Sequence, residues 1–169
     1  AAGIISILYF IGWSNASSGS AAKRAVKSVV AEIAPLGTSS VKGVFKAKEG
    51  KKGLVKIDMW VEGLTPGNHG THIHSGDSCA GDGKAAGPHW DPNNTGKHGK
   101  PEDPSTAHHA ADMPNIIVDA GGKGVMHFQT KNFKISELLG KTVIVHDNPD
   151  NYTDSPANGG SGPRIGCGV

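Results

Sequence analysis

A chain of 169 residues has room for one domain with an N-terminal extension and none for a second catalytic domain. Its formal charge of +2 is small and its Lys and Arg residues are scattered, which argues against nucleic acid and for a small-molecule partner. With 25 Gly and 10 Pro but no three-residue period, the composition is that of a turn-rich β protein, not a collagen.

In chain order, the first feature is the nearly continuous apolar run from Ile4 to Trp13, followed by the small residues Ser14 and Ala16 around Asn15. That pattern reads as the core of a signal peptide with its cleavage region. At ten residues, or 13 counted from Ala1, the run is too short to span a bilayer alone; a buried N-terminal strand and an uncleaved membrane tether are the alternatives. Residues 1–25 are therefore expected to be a signal remnant or flexible extension, and 26–169 the folded domain.

Strand signals follow at Val29–Ile33, Val41–Ala47 and Leu54–Val61, all rich in β-branched residues and separated by Gly-, Ser- and Lys-rich turns, which predicts an antiparallel meander. Asn115–Asp119 and Val125–Thr130 flank Ala120-Gly121-Gly122-Lys123-Gly124, a hairpin signal, and Lys141–His146 forms a last apolar strand. No segment carries a long helical period, so the fold class is all-β. Cys79 and Cys167 lie far apart without a CxxC, which reads as one disulfide and hence an oxidising compartment.

Between Thr65 and Pro114 the strand pattern gives out, and about fifty residues of Gly, Pro, Asp and Asn hold seven of the nine histidines, His69, His72, His74, His89, His98, His108 and His109, with Asp112. A loop without an apolar core can be ordered by metal, for which imidazole and carboxylate are the usual ligands. His72-Ile73-His74 on a strand would aim both imidazoles to one side and Ile73 into the core. Taken alone, HxH also fits a pair of surface histidines, and His146 fits a satisfied strand-end histidine.

Six motifs in one order carry a family resemblance over Val29 to Val169. They are Gly63-Leu64-Thr65-Pro66-Gly67-Asn68-His69-Gly70-Thr71-His72-Ile73-His74, Gly87-Pro88-His89-Trp90-Asp91-Pro92, Lys97-His98-Gly99, His109-Ala110-Ala111-Asp112-Met113-Pro114, Val145-His146 and Gly162-Pro163-Arg164-Ile165-Gly166-Cys167-Gly168-Val169. The chain thereby resembles the bacterial branch of the copper,zinc superoxide dismutases. The resemblance implies an immunoglobulin-like Greek-key β-sandwich, or flattened barrel, with long metal-binding loops.

It further implies copper on His72, His74, His89 and His146, and zinc on His89, His98, His109 and Asp112, with His89 shared. Asp150 would hydrogen-bond one histidine of each site, Arg164 would dock the superoxide anion near copper, and His89 would carry a proton between the two half-reactions. A structural salt bridge is the other role open to Arg164, and an ordinary turn position the other for Asp150. His69, His108 and His127 fall outside the ligand pattern, His108 being the substitute for His109 if the register slips. Lys84 and Lys97 are candidates for steering the substrate. The implied location is periplasmic or extracellular, and a homodimer is left open.

Thr71 stands where the family has an aromatic, Ala111 where it has Gly and Met113 where it has Leu. Of these Ala111 matters most, because a left-handed backbone there would be strained by a Cβ and would shift Asp112. The competing reading is a periplasmic copper- or zinc-delivery module, which needs the ligands but not Arg164.

Overall fold

The computed structural model describes residues 25–103 and 105–169. The readings made for Ile4–Trp13, the signal remnant or tether, lie outside these residues. Among the described residues nine strands form: β1 Ser28–Pro35, β2 Lys42–Glu49, β3 Val55–Glu62, β4 Gly67–His69, β5 Thr71–His74, β6 Ile116–Val118, β7 Lys123–Thr130, β8 Thr142–His146 and β9 Arg164–Gly168. Among the described residues the only helical turns are short 3-10 segments.

Every strand pairing is antiparallel, and the order is β4-β6-β7-β3-β2-β1-β9-β8-β5. The two ends of that order, β4 and β5, are consecutive in sequence and separated by Gly70 alone. The sheet therefore curls into a nearly closed, flattened barrel. The curl turns at β1, whose Ser28–Ile33 pairs with β2 while Ala34 and Pro35 pair with Cys167 and Gly166 of β9.

Inside and outside follow the two-residue period of a strand. On β3, Val55, Ile57, Met59 and Val61 are buried while Lys56 and Trp60 are exposed; on β7, Met126 and Phe128 are buried while Val125, His127 and Gln129 are exposed. The inward residues join Ile33, Val41, Phe45, Ile73, Met113, Ile116 and Val145 in one apolar cluster. At roughly 1.5–3 kcal/mol for each large side chain removed from water, this cluster is the main source of the barrel's stability.

The predicted meander β1-β2-β3 forms, as do the β6–β7 hairpin and the strand ending in His146. Two strands lack a sequence signal. β4 is three residues within a Gly- and Asn-rich stretch, and β9 reads Arg-Ile-Gly-Cys-Gly, poor in strand formers. β9 nevertheless lies between β1 and β8, because its glycines permit close approach. A Cβ on Gly166 would come within 2.7 Å of Val41 Cγ1, and one on Gly168 within 2.6 Å of the Glu32 carbonyl.

Cys79 and Cys167 form a disulfide with a Cα–Cα distance of 5.9 Å, tying the long loop after β5 to β9. The bridge closes a loop spanning 88 positions. In the chain-entropy description, replacing both cysteines with serine lowers the unfolding free energy by about 4 kcal/mol, measurable by urea denaturation. Alkylation of the denatured but unreduced protein is expected to label no thiol, and two labelled thiols would contradict the bond.

Candidate metal centre

β5 supplies the first pair of histidines. Its alternation sends Ile73 into the apolar core and His72 and His74 to the other side, all three buried. Loop backbone then docks along this strand, with bridges pairing His72 with Asp112 and His74 with His89. Ile73 N donates to Ala111 O at 3.1 Å, Trp90 N to Ile73 O at 3.0 Å and Ala111 N to Trp90 O at 3.1 Å. On the other edge of β5, β8 places His146 at its end, where its N–H donates to Gly70 O at 2.9 Å. One strand thus gathers residues from four separate parts of the chain.

The result is two overlapping groups of possible ligand atoms, each with all its atoms within 4.8 Å of one another: His72, His74, His89 and His146, and then His72, His89, His98 and Asp112. His109 belongs beside the second, because its Nδ1 lies 3.4 Å from Asp112 Oδ1, the atom that also faces His98 Nδ1 at 2.9 Å and His89 Nδ1 at 3.6 Å. All seven ligand candidates from the sequence therefore meet in one place.

Hydrogen bonds on the far ring nitrogens decide which atoms remain available. His72 Nε2 donates to Asp150 Oδ2 at 2.6 Å, and His98 Nε2 donates to the same oxygen at 2.7 Å. His74 Nδ1 donates to Gly87 O at 2.9 Å and His146 Nδ1 to Gly162 O at 3.1 Å. Each bond fixes a tautomer and turns the other nitrogen's lone pair inward. Those inward atoms, His72 Nδ1, His74 Nε2, His146 Nε2, His89 Nδ1, His98 Nδ1, His109 Nδ1 and Asp112 Oδ1, are buried without a hydrogen-bond partner. Orphaned buried polar atoms cost about 1–3 kcal/mol each in a native fold, and seven facing one another fit bound cations. Nitrogen donors with one carboxylate suit copper and zinc better than calcium or magnesium, which prefer oxygen.

Protonation follows the same pattern. Burial pushes His74 down to about 2, His146 to about 3 and His89 to about 4, and also lowers His72, so these rings are neutral lone-pair donors at neutral pH. His98 behaves in the opposite way. Burial disfavours its charge, but the carboxylates of Asp112 and Asp150 beside its two ring nitrogens outweigh that and raise it to about 9. Burial likewise opposes ionisation of Asp112 and Asp150, yet their histidine partners hold both carboxyls well below the usual range. In the absence of metal a proton on His98 supplies the positive charge this corner requires.

Asp150 is itself held by a reciprocal clamp, its N–H donating to Asn115 Oδ1 at 2.8 Å and its carbonyl accepting from Asn115 Nδ2 at 2.9 Å. Asn115 carries no sequence signal beyond its place at a strand start. Ala111 is buried with both backbone polar groups bonded and is not among the residues with positive φ, so the strain foreseen from its Cβ does not arise and Asp112 stays among the three imidazoles. Thr71 uses the space of an aromatic differently, donating its hydroxyl to Pro114 O at 3.0 Å.

Arg164 opens β9 opposite His146. Its guanidinium donates to Gly83 O at 2.5 Å and to Gly87 O at 2.6 Å, and no carboxylate pairs with it among the described residues. The salt-bridge role is thereby removed, and a half-buried cation stands near His74 and His146, adding to the burial that lowers both. The disulfide anchors the loop that supplies both carbonyls.

The remaining histidines are satisfied elsewhere. Buried His69 faces His146 O and Thr65 O at 2.9 Å each, His108 reaches Thr106 O and Asn132, and exposed His127 pairs with Asp58 at 2.7 Å. Lys97 pairs with Asp154 at 3.5 Å, which offsets its charge as a steering group, whereas Lys84 is exposed in a 3-10 turn.

A flattened all-β barrel whose loops bury an all-histidine donor group overlapping a histidine–carboxylate group, with His72 and His89 within reach of both, defines a metal-binding protein. A family profile described as copper/zinc superoxide dismutase (SODC) matches residues 41–169. The superoxide dismutase [Cu-Zn] of Photobacterium leiognathi is 37% identical over 147 residues, covering 82% of this chain and 83% of that protein. That of Brucella abortus biovar 1 is 38% identical over 149 residues, with the same coverage of 82% and 83%. The mouse copper chaperone for superoxide dismutase is 29% identical over 79% of this chain but 49% of its own length. Among solved structures, the clock protein EA4 superposes with a TM-score of 0.75 at 25% identity, covering 85% of this chain and 92% of that one. This chain belongs to the copper/zinc superoxide dismutase family, whose cofactors are copper and zinc.

The depressed histidines predict how the metal-free protein responds to acid. Between the ordinary value of 6.5 and the folded values of about 2 to 4, His74, His89 and His146 bind protons in the unfolded chain but not in the folded one. Stability therefore falls as pH drops from about 6.5 toward 4, while His98, raised to about 9, contributes stability that is full below 6.5 and lost as pH rises toward 9. The melting temperature of the chelated protein is expected to decline from pH 6.5 to 4. A flat profile over that range would contradict neutral buried imidazoles.

Proposed function

We propose that residues 26–169 form a superoxide dismutase that converts superoxide to dioxygen and hydrogen peroxide. The observation that carries this reading is the gathering of seven partnerless buried donor atoms at two overlapping groups, one all-histidine and one with a carboxylate. His72 Nδ1, His74 Nε2, His146 Nε2 and His89 would hold copper; His89, His98 and His109 through Nδ1, with Asp112 Oδ1, would hold zinc. Copper cycling between Cu(II) and Cu(I) supplies the electron exchange with two successive superoxide ions, while zinc has no redox chemistry.

The chain's own residues supply the rest. Arg164, free of any carboxylate among the described residues, gives the small anion a fixed cation and N–H donors beside the copper group. His89 would accept a proton from solvent at Nε2 during the first half-reaction and return it as peroxide forms, water supplying the second proton of hydrogen peroxide and Nδ1 remaining directed at the Asp112 side. Asp150 holds His72 and His98 from behind, so that movement of one site is resisted by the other. Because the substrate offers little contact area, rate depends on encounter, and local positive charge raises it.

Bacterial relatives and the Cys79–Cys167 disulfide support export to the periplasm. The similarity to a mouse copper chaperone keeps a delivery role as the second reading. Arg164 separates the two, because delivery needs ligands and dismutation also needs an anion-docking cation. Arg164→Ala is expected to retain one copper and one zinc per chain by metal analysis, yet to lose about tenfold or more in superoxide turnover. Rising ionic strength should slow the wild type more than the variant. A fully metallated Arg164→Ala protein with unchanged turnover and salt dependence would favour delivery.

A further inference from the structure

The outer face of β1, β2, β3 and β7 bears none of the metal-site residues. Its outward side chains form rows across the strands: Ser28–Lys48–Lys56–Gln129, Val30–Lys46–Asp58–His127, and Glu32–Val44–Trp60–Val125. Lys48 and Lys56 are direct cross-strand partners, a like-charge pairing that destabilises a sheet unless an anion lies between or above. Lys51 and Lys52 in the β2–β3 turn and Lys131 just after β7 extend the same positive end.

The carboxylates nearest to these lysines are already engaged. Asp58 is shared between His127 at 2.7 Å and Lys48 at 3.8 Å, and Glu49 pairs with Lys27 at 2.5 Å, while Lys46 and Lys56 have no carboxylate partner among the described residues. One row further along, Trp60 is 39% exposed between Val44 and Val125, and Val125 is itself 55% exposed. A groove of about 1030 Å³ runs over this face from Lys48 and Lys56 past Asp58 and His127 to Val125, walled on one side by Pro101 and Glu102, and at Asp58, His127 and Val125 it adjoins a shallower hollow lined by Val44, Lys46 and Trp60.

We propose that this groove and the hollow beside it together dock an acidic polysaccharide. An exposed indole between aliphatic side chains offers a flat apolar platform for the C–H face of a sugar ring, while its carboxylate or sulfate groups reach Lys46, Lys48 and Lys56. A walled groove accepts a chain, whereas a bilayer presents a broad plane. The docked enzyme keeps its metal centre free, because that centre is built on β5, β8, β9 and their loops. Binding and turnover are therefore read separately.

Heparin serves as the probe, with affinity measured against salt for the metal-loaded protein. Reversing the facing pair, Lys48→Glu with Lys56→Glu, should weaken binding by about tenfold, as expected when two attractive contacts become repulsive. The equal charge change at the far end of the same face, Lys42→Glu with Lys123→Glu, should weaken it by less than about threefold. Trp60→Ala should lower affinity while leaving the salt dependence unaltered. Lys48→Ala with Lys56→Ala guards against misfolding, since removing the repulsion should preserve the melting temperature and still reduce binding. Equal losses for both charge-reversed pairs, or no effect of Trp60→Ala, would overturn the proposal. So would tighter binding to phosphatidylglycerol vesicles than to heparin with the same variant pattern, which would make the face a lipid-binding one.

Discussion

Seven buried nitrogen and oxygen atoms face one another inside this protein without a hydrogen-bond partner. The fold does not tolerate this by accident of packing, because hydrogen bonds on the opposite ring nitrogens of His72, His74, His98 and His146 hold the inward atoms in place. A chain that invests Asp150 and two loop carbonyls in that orientation has a folded state completed by cations. Metal binding and loop structure are then one free energy, and the long connection after β5 has order because it carries ligands.

The barrel supplies rigidity and the loops supply chemistry. β5 joins the two, since its two-residue alternation buries Ile73 in the apolar core and places His72 and His74 on the metal side. The loop segments bearing His89 and Asp112 pair with that strand through backbone bridges, so core packing and ligand geometry share a single element. β9 and the disulfide do the same for Arg164. The strand puts it opposite His146, and the tethered loop supplies the two carbonyls that hold its guanidinium.

The readable parts of this structure were those with a period or a spacing. Alternation on β3 and β7, the Gly-rich hairpin before β7 and the His-x-His pair all specify their geometry locally. β4 and β9 were not readable, because three residues carry no period and the glycines of β9 answer to Val41, Ile33 and Glu32, which are distant in sequence. Asn115 escaped for the same reason: its role as the clamp on Asp150 exists only once β6 and the loop after β8 have come together. Ala111 illustrates the reverse error. The inference of strain required a backbone angle that sequence does not specify, and the loop adopts an ordinary conformation there.

Charge is distributed as unequally as packing. A site with two depressed carboxyls also holds an imidazole raised to about 9, so proton and metal compete for the same corner, while a cation without a carboxylate partner among the described residues stands beside His74 and His146. The central claim is that these donors divide between two different ions through a shared His89. His72 lies within reach of both groups, so its metal partner distinguishes this division from its alternatives. Crystals of the metal-loaded protein, with anomalous scattering collected at the copper and zinc edges, test it most directly. The account predicts one copper peak among His72, His74, His89 and His146 and one zinc peak among His89, His98, His109 and Asp112. A single ion, or a second ion ligated by His72 with His109 left free, would contradict it.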